Sequence, residues 1–284
     1  MKKFLNIIIK LGSIDRRYIF ILVGLSVLIP LIRPVNIPIR ATNQSQDVFD
    51  ALDTLTPSSK VLVSFEYGPS TKPEIHPMSM GVLRKLFSDG HKVYATALWP
   101  DGIFMSVEAL DQTEEEFSLE YGVDYVNLGF RPGNEAVVKG VAADIRSMYT
   151  SDTRGNHIDN IPMMDGINNV TDFDFVFSLS AGYPGTKEWV QYACDPHDIP
   201  MSTGCTSIQV TEVLPYVEAG QVHGILAGMP GAAEFEKLVN IPGEATGMMA
   251  AQSFAHLIIV AFIIFGNITY FIKRRSDKKN LGEK

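Results

Sequence analysis

Three glycine- and proline-rich turns carry most of the side chains able to do chemistry in this chain. They read Gly129-Phe130-Arg131-Pro132-Gly133-Asn134-Glu135, Gly182-Tyr183-Pro184-Gly185-Thr186-Lys187-Glu188 and Gly228-Met229-Pro230-Gly231-Ala232-Ala233-Glu234, with a looser fourth from Tyr67 to Glu74. Each combines glycine, which accepts positive φ, with proline, which restricts the residue before it. A glutamate follows, the residue type that suits a helix N-terminus. As plain turns these segments need no ligand. Three of the four also place a cation, Lys72, Arg131 or Lys187. With Gly133, Gly185 and Thr186 at the starts of the following helices, these residues form a candidate site for a small anionic ligand, a phosphate or carboxylate. None of the turns is a Walker A loop or a G-x-G-x-x-G.

Nucleophilic chemistry has two candidates. Ser178-Leu179-Ser180-Ala181-Gly182 resembles a G-x-S-x-G elbow around Ser180, with serine in place of the first glycine and Tyr183-Pro184-Gly185 delaying the helix that should follow at once. Cys205, in Thr203-Gly204-Cys205-Thr206, also stands where a strand meets a helix. His197 or His223 is a base for either, with Asp195 or Asp198 to orient it, although no spacing requires this. Cys194 and Cys205 are the only cysteines; one disulfide and two separate buried thiols are both open, and a zinc site is not. Asp152, Asn156, Asp159 and Asp165 offer oxygen ligands without EF-hand spacing, and read as a solvated acidic loop. No metal and no cofactor is expected.

The elements that must position these residues alternate in type. Short β-rich runs fall at 60–67, 92–99, 123–128, 173–179, 199–203 and 222–227. Helical periods fall at 46–55, 78–88, 102–111, 134–148, 186–194, 207–218 and 231–239. Strands apolar on both faces and separated by helices predict a mainly parallel sheet covered on both sides: an α/β, Rossmann-like three-layer domain. In that architecture the turns named above collect at the carboxyl edge of the sheet, where ligands bind. The segment 149–172 has no period and is too long for an ordinary connection, so it reads as a functional loop or an insertion.

Composition adds a membrane. Residues 41–250 hold 11 Lys/Arg against 29 Asp/Glu, whereas the whole chain nets only −8. The ends are basic and apolar. A cytoplasmic segment 1–17 precedes an apolar anchor at 18–39, and a second apolar helix at 253–272 precedes a basic tail at 273–284. Lysine and arginine outside both apolar segments predict that both termini are cytoplasmic and that the acidic 41–250 domain is extracytoplasmic in the cell membrane. So acidic a domain would repel nucleic acid. In the second apolar helix Gln252, His256, Asn267 and Tyr270 fall on one face beside Gly266, a stripe suited to packing on another helix. These features predict a membrane-anchored binding or scaffolding subunit of a membrane protein complex, homo- or hetero-oligomeric, rather than an enzyme. The alternative is a membrane-tethered hydrolase using Ser180 or Cys205.

Overall fold

The computed structural model describes residues 15–33 and 38–282, with side chains through Arg275. It separates into two compact units. One is Pro38–Thr246; the other holds an N-terminal helix and the chain from Gly247 onward.

Pro38–Thr246 is an α/β unit. Helix α2 (Asn43–Asp53) leads to β1 (Lys60–Glu66), α3 (Lys72–Ser88), β2 (Lys92–Ala97), α4 (Gly102–Phe117) and β3 (Tyr125–Phe130). The chain continues through α5 (Glu135–Ala143), α6 (Ile145–Met148), β4 (Phe175–Ser180), α7 (Thr186–Trp189), β5 (Met201–Cys205), α8 (Val210–Glu218), β6 (Ile225–Ala227) and α9 (Gly228–Leu238). The strands form one sheet in the order β3-β2-β1-β4-β5-β6, and every pairing is parallel. This is a doubly wound order whose direction reverses between β1 and β4. Helices α2, α3, α4 and α9 pack among themselves on one side, while α5, α6 and α7 pack together apart from them. The expected three-layer α/β arrangement with a parallel sheet is therefore present.

Burial explains why these residues form these elements. Val61 to Glu66 of the central strand β1 are all buried, so the strand is covered on both faces instead of alternating, with Val61, Val63 and Phe65 on one face and Leu62 leading to Ser64 and Glu66 on the other. Helix α4 begins so close to β1 that a Cβ on Gly102 would stand 2.1 Å from the Phe65 carbonyl oxygen; only glycine fits. Helix α3 is longer than its periodicity suggests. Pro73 opens its first turn and Pro77 lies inside it, so the pattern becomes regular only after both prolines. The expected helix 134–148 is two helices. Asp144 adopts an extended backbone between them, and its carboxylate accepts from the amides of Arg146 and Ser147.

The aperiodic segment 149–172 contains three single 3₁₀ turns, Ile158–Asn160, Pro162–Met164 and Val170–Asp172, and within the segment Ile158, Ile161, Met163, Met164, Ile167 and Val170 are buried in the core. The Tyr94 hydroxyl donates to the Met163 carbonyl at 2.6 Å. It also covers the edge strand β3, where the Thr153 amide donates to the Asn127 carbonyl at 2.9 Å. The opposite edge strand, β6, is only three residues long.

The second unit contains α1 (Arg16–Ile32) and most of α10 (Glu244–Gly282). Among the described residues one helix is long and apolar enough to cross a membrane, the Glu244–Arg275 part of α10. Helix α1 has 17 residues, a rise of about 26 Å against the roughly 30 Å of a hydrocarbon core. The expected pair of spans is thus matched by one helix of sufficient length. Residues 34–37 of the expected first anchor, the basic segment before Asp15 and the side chains of the tail beyond Arg275 lie outside the described residues.

Candidate functional site

At the reversal of strand order, β1 and β4 place Glu66 beside Ser180 at the carboxyl edge. Glu66 is fully buried. Its carboxylate accepts from Trp189 Nε1 at 3.0 Å, Ser178 Oγ at 3.1 Å and the Ser64 hydroxyl. Ser178 Oγ also lies 3.1 Å from Thr186 Oγ1, which lies 2.7 Å from Thr203 Oγ1. Burial pushes the Glu66 pKa up to about 7, aided by nearby Glu188, against the lowering effect of the Ser64, Trp189 and Ser178 hydrogen bonds. The turn after β4 closes over this network. A Cβ on Gly185 would stand 2.0 Å from Ser180 Oγ. Trp99, arriving from the end of β2, donates from Nε1 to the Pro184 carbonyl at 2.8 Å. The crevice at the switch point is therefore filled by the chain's own side chains.

The residues singled out from the sequence are placed as follows. Lys72 holds both carboxylate oxygens of Glu108, at 2.5 and 2.6 Å. Arg131 donates to the Met148 carbonyl at 2.8 Å and lies over the Tyr149 ring. Lys187 is exposed. Thr186 is buried in the hydroxyl chain, and the Gly185 amide donates to Glu188 at 2.7 Å. Gly133 has φ 140°, a backbone that favours glycine. Since β3 and β4 have β2 and β1 between them, the ends carrying Arg131 and Lys187 are about 14 Å apart by strand spacing alone. The three cations do not converge on one small anion.

Ser180 is buried, and its hydroxyl donates to the Gly182 carbonyl at 3.1 Å. Cys194 and Cys205 are free and buried. Burial, with Glu74 and Glu212 nearby, pushes the Cys205 thiol up to about 12, which disfavours the nucleophilic thiolate. His197 closes the exposed turn before β5, and the His223 amide pairs with Met201 at the start of that strand. Both histidines stand at the amino end of β5, and Ser180 and Cys205 stand at the carboxyl end of the sheet. The geometry forms no nucleophile–base pair among these residues.

In the acidic segment, Asp152 accepts from the Tyr121 hydroxyl, the Asn156 amide and Asn156 Nδ2, at 2.7 to 2.9 Å, and Asp159 pairs with Arg146. On α10, His256, Gly266 and Asn267 are exposed, and Asn267 Nδ2 donates to the Ile263 carbonyl of its own helix at 2.8 Å.

A different site comes from α3, α4 and the chain leading to α10. Lys72, His76, Arg84, Glu108, Glu236 and Glu244 line a cleft of ≈ 390 Å³, within the range of small-ligand pockets. His76 is 6% exposed. Its Nδ1 lies 2.9 Å from the Tyr67 hydroxyl, which lies 2.9 Å from Ser79 Oγ, and Ser79 donates to the Ile75 carbonyl at 3.2 Å. One proton arrangement uses all three contacts: Nδ1–H to Tyr67, Tyr67 to Ser79, Ser79 to Ile75. Nε2 is then an acceptor, and it has no partner among the described residues. Burial lowers the His76 pKa, against Glu108, so the ring stays neutral near pH 7. Both cations of the cleft are paired, Lys72 to Glu108 and Arg84 to Glu116. Buried Glu236 accepts from the amides of Ala245 and Thr246, each at 2.9 Å. Glu244 is exposed and has no partner among the described residues.

Sequence reasoning missed both Glu66 and His76. A glutamate ending an apolar strand is a sequence signal for the first, since a buried carboxyl needs partners. His76, between two prolines, offers none.

No protein-family model matches the chain, and no curated protein or solved structure compared with it matches either.

Proposed function

We propose that this chain is a membrane-anchored subunit whose acidic α/β domain binds or scaffolds partners outside the cytoplasm, within a larger membrane complex. One observation carries the reading. Asn267 is exposed on α10 among exposed Ile263, Ile264 and Ile268, six residues before Lys273 and so about 9 Å inside the apolar stretch. Its only hydrogen bond among the described residues goes to its own helix. An amide facing hydrocarbon is costly, and a second helix that hydrogen-bonds to it removes the cost. Exposed His256 and Gly266 on the same helix extend the surface such a partner would use, Gly266 by allowing close approach.

The N-terminal helix serves as the second anchor in this reading. Tyr18, Phe20, Ile21, Leu22, Leu25 and Leu28 are exposed along it, and beyond Arg33, whose long side chain can snorkel, Pro34 to Ile39 adds further apolar length broken only by Asn36. The basic residues outside both apolar segments keep both termini cytoplasmic. The test is Asn267→Leu in the native membrane. Recovery of partners crosslinked to the chain should fall several-fold, as expected for losing roughly 1 kcal/mol of interhelical hydrogen bonding. Undiminished recovery would remove the basis of the proposal.

A further inference from the structure

We propose that the cleft between α3, α4 and the Pro242–Glu244 segment binds a small ligand bearing a primary ammonium group, held by His76 Nε2 and Glu244. The inference goes beyond the membrane-assembly reading and stands independently of it. Two unconnected observations support it: a lined cleft of ≈ 390 Å³ and, in its wall, an imidazole nitrogen without a partner.

A buried acceptor left unpaired is destabilising unless something supplies a donor. The proton arrangement that keeps all three contacts of the Tyr67–Ser79 relay places the proton on Nδ1, and in it Nε2 is a lone pair that takes N–H or O–H donors and rejects acceptors.

Charge then selects among donors. Lys72 and Arg84 are already paired, so the cleft has no spare cation for a carboxylate or phosphate. Its surplus is negative, with Glu244 unpaired among the described residues and Glu236 held by amides and a hydroxyl rather than by a cation. An ammonium satisfies both demands, giving one N–H to Nε2 and placing its charge against Glu244. The domain around it is strongly acidic, which raises the local concentration of cations. Nε2 is closed to water in this conformation, so the ligand must displace part of the wall. The unbranched side chains of Lys72, Met80 and Arg84 provide that freedom.

The test is calorimetric titration of the full chain in detergent micelles with propylamine and, as a size-matched anion, propionate. Propylamine should bind saturably and propionate should not. His76→Asn keeps a donor for Tyr67 and deletes the Nε2 acceptor, while Glu244→Gln removes the charge at an exposed position. Each should weaken propylamine binding about tenfold or more, the effect of one charge-assisted hydrogen bond, and Glu244→Gln, at an exposed position, should do so without shifting the melting temperature. No saturable propylamine binding, preferential binding of propionate, or unchanged affinity in Glu244→Gln would each overturn the proposal. The last variant decides the matter if His76→Asn fails to fold.

Discussion

Glu66 sits where ionisation is expensive, and its three hydrogen bonds offset only part of the expense. The sign of the consequence follows from linkage. Its folded pKa of about 7 lies above the ordinary 4.5, so the folded state holds a proton that the unfolded state has released. The stabilising contribution is complete below pH 4.5 and is lost as pH rises through 7. The full loss is on the order of 3 kcal/mol. In Glu66→Gln, neutral and nearly isosteric, that dependence should vanish. Denaturant unfolding of both proteins at acidic and mildly alkaline pH measures it. Parallel stabilities across the range would show that Glu66 is ionised at little cost. The glutamine oxygen can keep accepting from Ser64 and Trp189 while Ser178 rotates to accept from the amide nitrogen, so those three partners stay paired.

At the scale of elements, close approach sets the geometry. Gly102→Ala would drive a methyl group into the Phe65 carbonyl oxygen, which is backbone and cannot rotate away. The substitution should destabilise the domain by about 1–3 kcal/mol or more, read as a lower denaturation midpoint. A midpoint unchanged from wild type would mean that α4 can slide off β1. All six strands were legible in the sequence, because buried parallel strands form short apolar runs between turns, as Val61–Phe65 and Phe175–Leu179 do. Boundaries were less so. Pro73 and Pro77 hid the first turns of α3, and Asp144 divides a continuous helical period because its cap favours a new start. The segment 149–172 looked like an insertion because single 3₁₀ turns bury one or two residues at a time and leave no period. Of the cleft only Lys72 was legible in the sequence. The turn residues Lys72 and Arg131 found partners within the domain, and His76 became informative only once Tyr67, nine positions away, was seen beside it.

For the whole molecule, the membrane reading makes a compartment prediction. Protease added to intact, wall-stripped cells should cut within the acidic domain and spare both basic ends, as judged with tags at either terminus. Protection of the domain would reverse the orientation. The two edges of the sheet bear on what such a domain can bind. The β3 edge has its backbone groups engaged, Asn127 by Thr153 and Tyr125 by Gly122, and β6 offers only three residues. A guest peptide seeking to extend the sheet as a seventh strand finds no long open row of amides and carbonyls to zip onto. A partner of the kind proposed would therefore meet side-chain shape and charge instead of an open strand edge.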